Sequence, residues 1–236
     1  MRGTRRSWKE ARAVPAAGGF AVHLDGRPVR LPGGAELVLS TRRLGEAVAH
    51  EWESRPVGEI VRHEEIPLTR LAGTAQQRIA PDPGKTVEAL STYAATDLLC
   101  YRAAAPEALV RREAALWQPW LEWAAEEFGA RLRITTGVMP LAQDPVPLSA
   151  LTRAVALCDV PVLAALAVTV PALGSLVLGL ALARGRLSAD DAAEAAFADE
   201  LFLAEIWGDD AAAAARRAEI IGEVMLAERF VALARQ

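Results

Sequence analysis

The chain is poor in the residues that build most catalytic and metal sites. Of its 236 residues, three are histidine and two are cysteine. His23, His50 and His63 fall in separate segments, and none has a cysteine or a second histidine at zinc-ligand spacing. His63-Glu64-Glu65 could offer ligands, but it reads as a solvated loop. Cys100 and Cys158 both lie in apolar helical patterns, which suits buried free thiols in a reducing cytosol. Neither has a histidine close in sequence, so spacing gives no support to nucleophilic catalysis. G-x-S-x-G is absent. Gly174 and Gly179 have P-loop spacing, but Leu180 and Ala181 stand where the lysine and Ser/Thr must be, so nothing would hold a phosphate. Positive charge is not in excess either. Lys and Arg number 26 against 30 Asp and Glu, a net charge of −4, and nucleic acid is therefore not an expected partner. The opening MRGTRRSWKEAR is basic, but no apolar stretch follows it, so it does not read as a secretory signal or as a clear transit peptide.

What is present is apolar material. Hydrophobic residues make up 52% of the chain and charged residues 24%, enough to bury a sizeable core. The longest apolar run, residues 160–183, carries no charge. Its length would span a bilayer, since a spanning helix needs roughly 20 apolar residues. Its grammar differs: Pro171 sits mid-run and Gly174, Ser175 and Gly179 follow. Interior proline breaks or kinks a helix, so the run reads as two buried helices, 161–169 and 172–183. The capped, amphipathic segments around it need an apolar partner, which makes it the expected hub of a helical domain rather than a stable membrane insertion.

The N-terminal third reads as strands. Residues 8–14 form a candidate strand, and Phe20, Val22 and Leu24 alternate with Ala21 and His23. Asp25-Gly26 is a strong type I′ hairpin signal, and Pro28 places the return strand at an edge. A helix over 41–54 follows, capped by Ser40, with Leu44, Val48 and Trp52 on one face. Pro67 suits the first turn of the next helix. Thr86 can cap another helix, and Pro119 is expected to kink or split the one that begins near Pro106. Residues 131–136 alternate and are expected to return to the N-terminal sheet. Ser188 and Asp191 begin a helix over 189–207, and a last helix covers 210–234. The expected fold is α+β, with a small β-rich domain over 1–65 and a larger all-helical bundle over 66–236.

One acidic cluster stands out: Asp199, Glu200, Glu205, Asp209 and Asp210, with Trp207 among them. It reads as a solvated helix end, or as an acidic-aromatic patch for a protein partner, since tryptophan is enriched at interface hot spots. A carboxylate-based metal protein or enzyme is the alternative, although bundle metal sites pair such acids with histidine and this segment has none.

Ordered motifs run along nearly the whole chain: GFAVHLDGRPVRLP (19–32), AVAHEW ending at Trp52, IPLTRLAGTA (66–75), TDLLCYRA (96–103), Trp117-x-Pro119-x-x-x-Trp123, TTGVMP (135–140), GSLVLGLALARGRL (174–187), DELF (199–202) and WGDD (207–210). In order and spacing they resemble the ATP synthase assembly chaperones of mitochondria and alphaproteobacteria that guard the alpha subunit of the catalytic head. The resemblance implies a non-enzymatic chaperone, without cofactor or metal, in the bacterial cytoplasm or the mitochondrial matrix. Such a protein binds the free alpha subunit and masks its beta-facing surface until the beta subunit replaces it. It also implies that the acidic segment matters, Glu200 first, then Asp199 and Glu205, with Trp207 and Asp209 beside them. Some positions depart from the family. Leu203 stands where Gln is usual, Leu31 for Thr, Gly73 for Asn, Gln77 for Asp and Arg55 for Gln.

Overall fold

A computed structural model describes residues 4–137 and 139–235, and in it the chain divides into two units, Met1–Asp82 with Arg229–Gln236, and Pro83–Glu228. The division lies later in sequence than the expected 65/66 boundary.

The first unit holds β1 (Thr4–Arg5), β2 (Ala11–Ala16), β3 (Gly19–Leu24), β4 (Arg27–Pro28), β5 (Val38–Leu39), α1 (Arg42–Glu53), β6 (Ile60–Val61) and α2 (Pro67–Thr74). β2 pairs along the whole of β3, while β4 and β5 share the other edge of β3. The β3–β4 turn has Asp25 at φ 46° and Gly26 at φ 80°, the two positive angles that a type I′ turn demands. Asp25 fixes it further, because its carboxylate accepts the backbone N–H groups of Lys9 and Glu10 at 3.0–3.1 Å. The alternation along β3 does not translate into one buried face. Ala21 and Val22 are both fully buried, while Phe20 and Leu24 are half-buried. α1 packs on β2 and β3, and the Arg42 guanidinium lies over the Phe20 ring at 5.2 Å.

Thr41, not Ser40, caps α1. Its Oγ1 accepts the Leu44 N–H at 3.1 Å and donates to the carbonyl of Leu233 at 2.6 Å, so the end of the chain shares the cap. α2 stays in this unit for a similar reason. Glu51 of α1 accepts the N–H groups of Leu68 and Thr69 at 2.6 and 2.9 Å, which satisfies the free donors at the start of α2. Arg6, nearly buried, donates to the carbonyls of Trp8, Glu53 and Arg55 around the end of α1.

The second unit holds α3 (Pro83–Ser91), β7 (Tyr101–Arg102), α4 (Glu107–Phe128), β8 (Thr135–Thr136), α5 (Pro145–Ala156), α6 (Val160–Leu173), α7 (Leu176–Ala183), α8 (Ala189–Ala196), α9 (Ala198–Trp207) and the larger part of α10 (Ala211–Ala234). α3 starts at Pro83, three residues before the expected cap. α4 runs unbroken through Pro119. α6 runs through Pro171 and ends at Gly174, which takes the left-handed conformation (φ 64°). Pro171 cannot donate to the carbonyl of Ala167 one turn back, yet the helix continues past it to Leu173. The expected break therefore falls three residues later. The 189–207 helix, in turn, is two helices that meet at Phe197. Of 131–136 only Thr135–Thr136 is strand, and it pairs in parallel with β7 instead of returning to the N-terminal sheet.

The apolar run is the hub of this unit. Every residue of α7 is buried, and α6, packed beside it, buries Leu163, Leu166, Val170 and Leu173. Gly179 lets the two helices touch, because a Cβ there would stand 2.6 Å from Val170 Cγ2. Among the described residues no helix is long and apolar enough to cross a membrane. A single buried acid ties two motifs together. Asp97 accepts from Ser175 Oγ at 2.7 Å, from Val177 N–H at 3.1 Å and from Leu99 N–H at 3.2 Å. Ser175 in turn caps α7 by accepting the Leu178 N–H. Burial pushes the Asp97 carboxyl up to about 6 in spite of these donors. Cys100, next to it, is pushed up to about 12 by burial and by Asp97, so it is an inert thiol. Cys158 is half-buried, and neither cysteine is in a disulfide.

Candidate partner-binding site

α9 is amphipathic in an unusual sense. Ala198 and Phe202 are buried, yet Leu203, Ile206 and Trp207 on another side are 52%, 53% and 81% exposed. Residues three and four apart share a helix face, so these three form one apolar stripe at the end of α9. Gly208 (φ 87°) then stops the helix and turns the chain towards α10.

The carboxylates around this stripe are organised by arginines. Glu200 receives Arg216 through both oxygens, at 2.7 and 2.9 Å, and Arg217 at 3.4 Å. Arg217, almost fully buried, also donates to Asp209 at 2.5 Å. Asp209 and, after it, Glu200 hold the Arg217 guanidinium above its ordinary pKa. Glu205 pairs with Arg112 of α4 at 2.8 Å, which lowers the Glu205 carboxyl and raises Arg112. Arg112 and Arg216 also stack over the rings of Phe202 and Phe197, at 5.5 and 6.0 Å. Asp199 is exposed and lies beside the enclosed Glu113 of α4. Glu113 accepts the Ala103 N–H at 2.8 Å, and its carboxyl is pushed up to about 7, by burial first and then by Asp199.

The structure places the expected residues Asp199 and Glu200 in the first turn of α9, Glu205 and Trp207 in its last turns and Asp209 in the turn after it, with Arg217 joining Glu200 to Asp209. It places Asp210 elsewhere in role, since its carboxylate caps α10 by accepting the Ala213 N–H. Spacing did not reveal Arg112, Arg216 and Arg217, which lie far from their partners in sequence. Nor does the sequence mark Leu203 and Ile206 as exposed, although their spacing to Trp207 is readable. Chemically this is a salt-bridged rim around exposed hydrocarbon. It suits a protein surface. Among the described residues no three His, Cys, Asp or Glu side chains gather to hold a metal ion.

Comparison with known proteins agrees with the motifs. Residues 5–125 match the family described as ATP12 chaperone protein. The crystal structure of Atp12 from Paracoccus denitrificans is similar over 98% of both chains, with 44% identity and a TM-score of 0.94. A single-substitution mutant of that Paracoccus protein is 43% identical over 98% of both chains, with a TM-score of 0.92. A protein from Agrobacterium tumefaciens is 35% identical, covering 98% of this chain and 86% of its own, with a TM-score of 0.90. The chain belongs to the ATP12 chaperone family, the ATP synthase assembly chaperones that its motifs resemble.

Proposed function

We propose that this chaperone captures the free alpha subunit of the F-type ATP synthase head and masks its beta-facing surface until the beta subunit takes its place. A subunit built for an obligate interface exposes a large apolar surface while it waits, and such surfaces aggregate. A masking protein needs apolar area to cover them and a polar rim to keep the contact reversible. The observation that carries the reading is the exposed Leu203, Ile206 and Trp207 stripe, edged by Asp199, Glu200, Glu205 and Asp209. Trp207 acts as the anchor. Glu200, Glu205 and Asp209, already paired with arginines, exchange these for partners on the alpha subunit. Leu203, where relatives carry Gln, adds apolar area at the centre of this contact. No nucleotide, metal or covalent step enters the mechanism. Capture takes place in the compartment where the alpha subunit is made or delivered, the bacterial cytoplasm or the mitochondrial matrix.

Co-expression with the alpha subunit tests this. Soluble alpha should increase and a binary complex should run on a sizing column, from which added beta subunit displaces the chaperone. Equal insolubility of alpha with and without the chaperone, and no complex, would remove the proposal. Stoichiometric metal in the purified protein would instead favour a carboxylate site at 199–210.

A further inference from the structure

The first unit carries an open groove of about 550 Å³, lined by α2 and the helical turn after it, by residues 29–32 that follow β4, and by β6. Its floor is apolar, with Leu31, Trp52 and Ile66 nearly buried within it. The floor is also fixed. The Trp52 indole N–H donates to Thr69 Oγ1 at 3.1 Å, and Thr69 donates to Glu51 at 2.9 Å. Gly73 completes it, since a Cβ there would stand 2.9 Å from Leu31 Cδ2. The larger Leu31 and the bare Gly73, two departures from the family noted above, are thus one steric adjustment that keeps the groove apolar.

The rim has a single sign. Arg30, Arg70 and Arg78 are exposed on it, and no lining residue is acidic. Among the described residues none of the three is in an ion pair. This concentration of positive charge stands in a chain whose net charge is −4. Arg70 of α2 and Arg78 of the π-helical turn that continues it (Ala75–Ile79) are eight residues apart, roughly 10–12 Å along the helix. Alternate side chains of an extended peptide face the same way at roughly 6.6 Å intervals. The geometry points to a docking groove for an extended acidic peptide of a partner protein, with an apolar side chain on the floor and acidic side chains two positions to either side of it against the arginines. This surface is distinct from the α9 stripe and goes beyond it.

The test uses the full chain and a short fluorescent peptide with acid-x-leucine-x-acid at its centre. Anisotropy should rise saturably and weaken with salt. Affinity should fall about tenfold or more for Arg70→Glu with Arg78→Glu, and similarly for a peptide with amides in place of its acids. Thr74→Glu, on the same helix face, gives a second variant, and an unchanged circular dichroism spectrum certifies folding of each. Absence of saturable binding, equal binding by the variants or by the amide peptide, or displacement by inorganic phosphate alone would each overturn the assignment.

Discussion

Asp97 and Glu200 show how differently two carboxylates in one unit behave. Burial holds Asp97 near 6, above its ordinary 3.8, so across that window the folded chain keeps a proton that the unfolded chain has released. The stability this group contributes is full below 3.8 and is lost as pH rises to about 6, by roughly 3 kcal/mol. Asp97→Asn should flatten the dependence of unfolding free energy on pH across that window, measured by urea titration. The part that persists towards pH 7 belongs to Glu113, whose carboxyl is raised in the same direction. An unchanged slope would show that Asp97 does not titrate there. Glu200 is part-exposed and ion-paired to Arg216 and Arg217. The exposed Arg216 pair contributes about 0–1 kcal/mol, and the buried Arg217 keeps Asp209 as its partner, so Glu200→Lys should shift the thermal midpoint little while weakening capture of the alpha subunit. A collapsed melt would instead make Glu200 structural.

The helical hairpin α6–α7 rests on side-chain shape. Leu178 is fully buried, so Leu178→Lys leaves an uncompensated charge and should cost about 3–5 kcal/mol. Capture should fail only as a consequence of unfolding, which circular dichroism separates from a direct effect. Gly179→Ala forces Val170 aside and should cost about 1–3 kcal/mol, read as a lower denaturant midpoint with an unchanged slope. These elements also mark where local rules succeed and fail. The β3–β4 hairpin was readable because Asp25-Gly26 fixes two positive φ angles by itself. Pro119 and Pro171 misled because a missing N–H is a local fact, while its consequence depends on position within the helix and on packing around it. The α8–α9 break at Phe197 has no proline or glycine to announce it, and only the burial of Phe197 and Phe202 accompanies it.

The chain is not divided simply from front to back. Arg229–Gln236 belongs to the first unit, where Leu233 and Ala234 accept hydrogen bonds from Thr41 and Ser40 at 2.6 and 3.4 Å. Ending the chain after Glu228 should therefore loosen the N-terminal unit. Hydrogen exchange would show β2, β3 and α1 amides losing protection while α6 and α7 keep theirs, and unaltered protection would contradict this. Turn chemistry, the uncharged run and the ordered motifs by themselves determined the α+β class, the buried hub and the kinship to assembly chaperones, because these depend on local dihedral preference, mean hydropathy and residue order. The tertiary structure alone decided that Glu51 anchors α2, that Asp97 joins to Ser175, and that Glu200, Glu205 and Asp209 are held by Arg216, Arg112 and Arg217. Such partners lie from eight to 93 residues apart, and no periodicity relates them. Their meeting is set by how helices stack, a property of the packed chain as a whole.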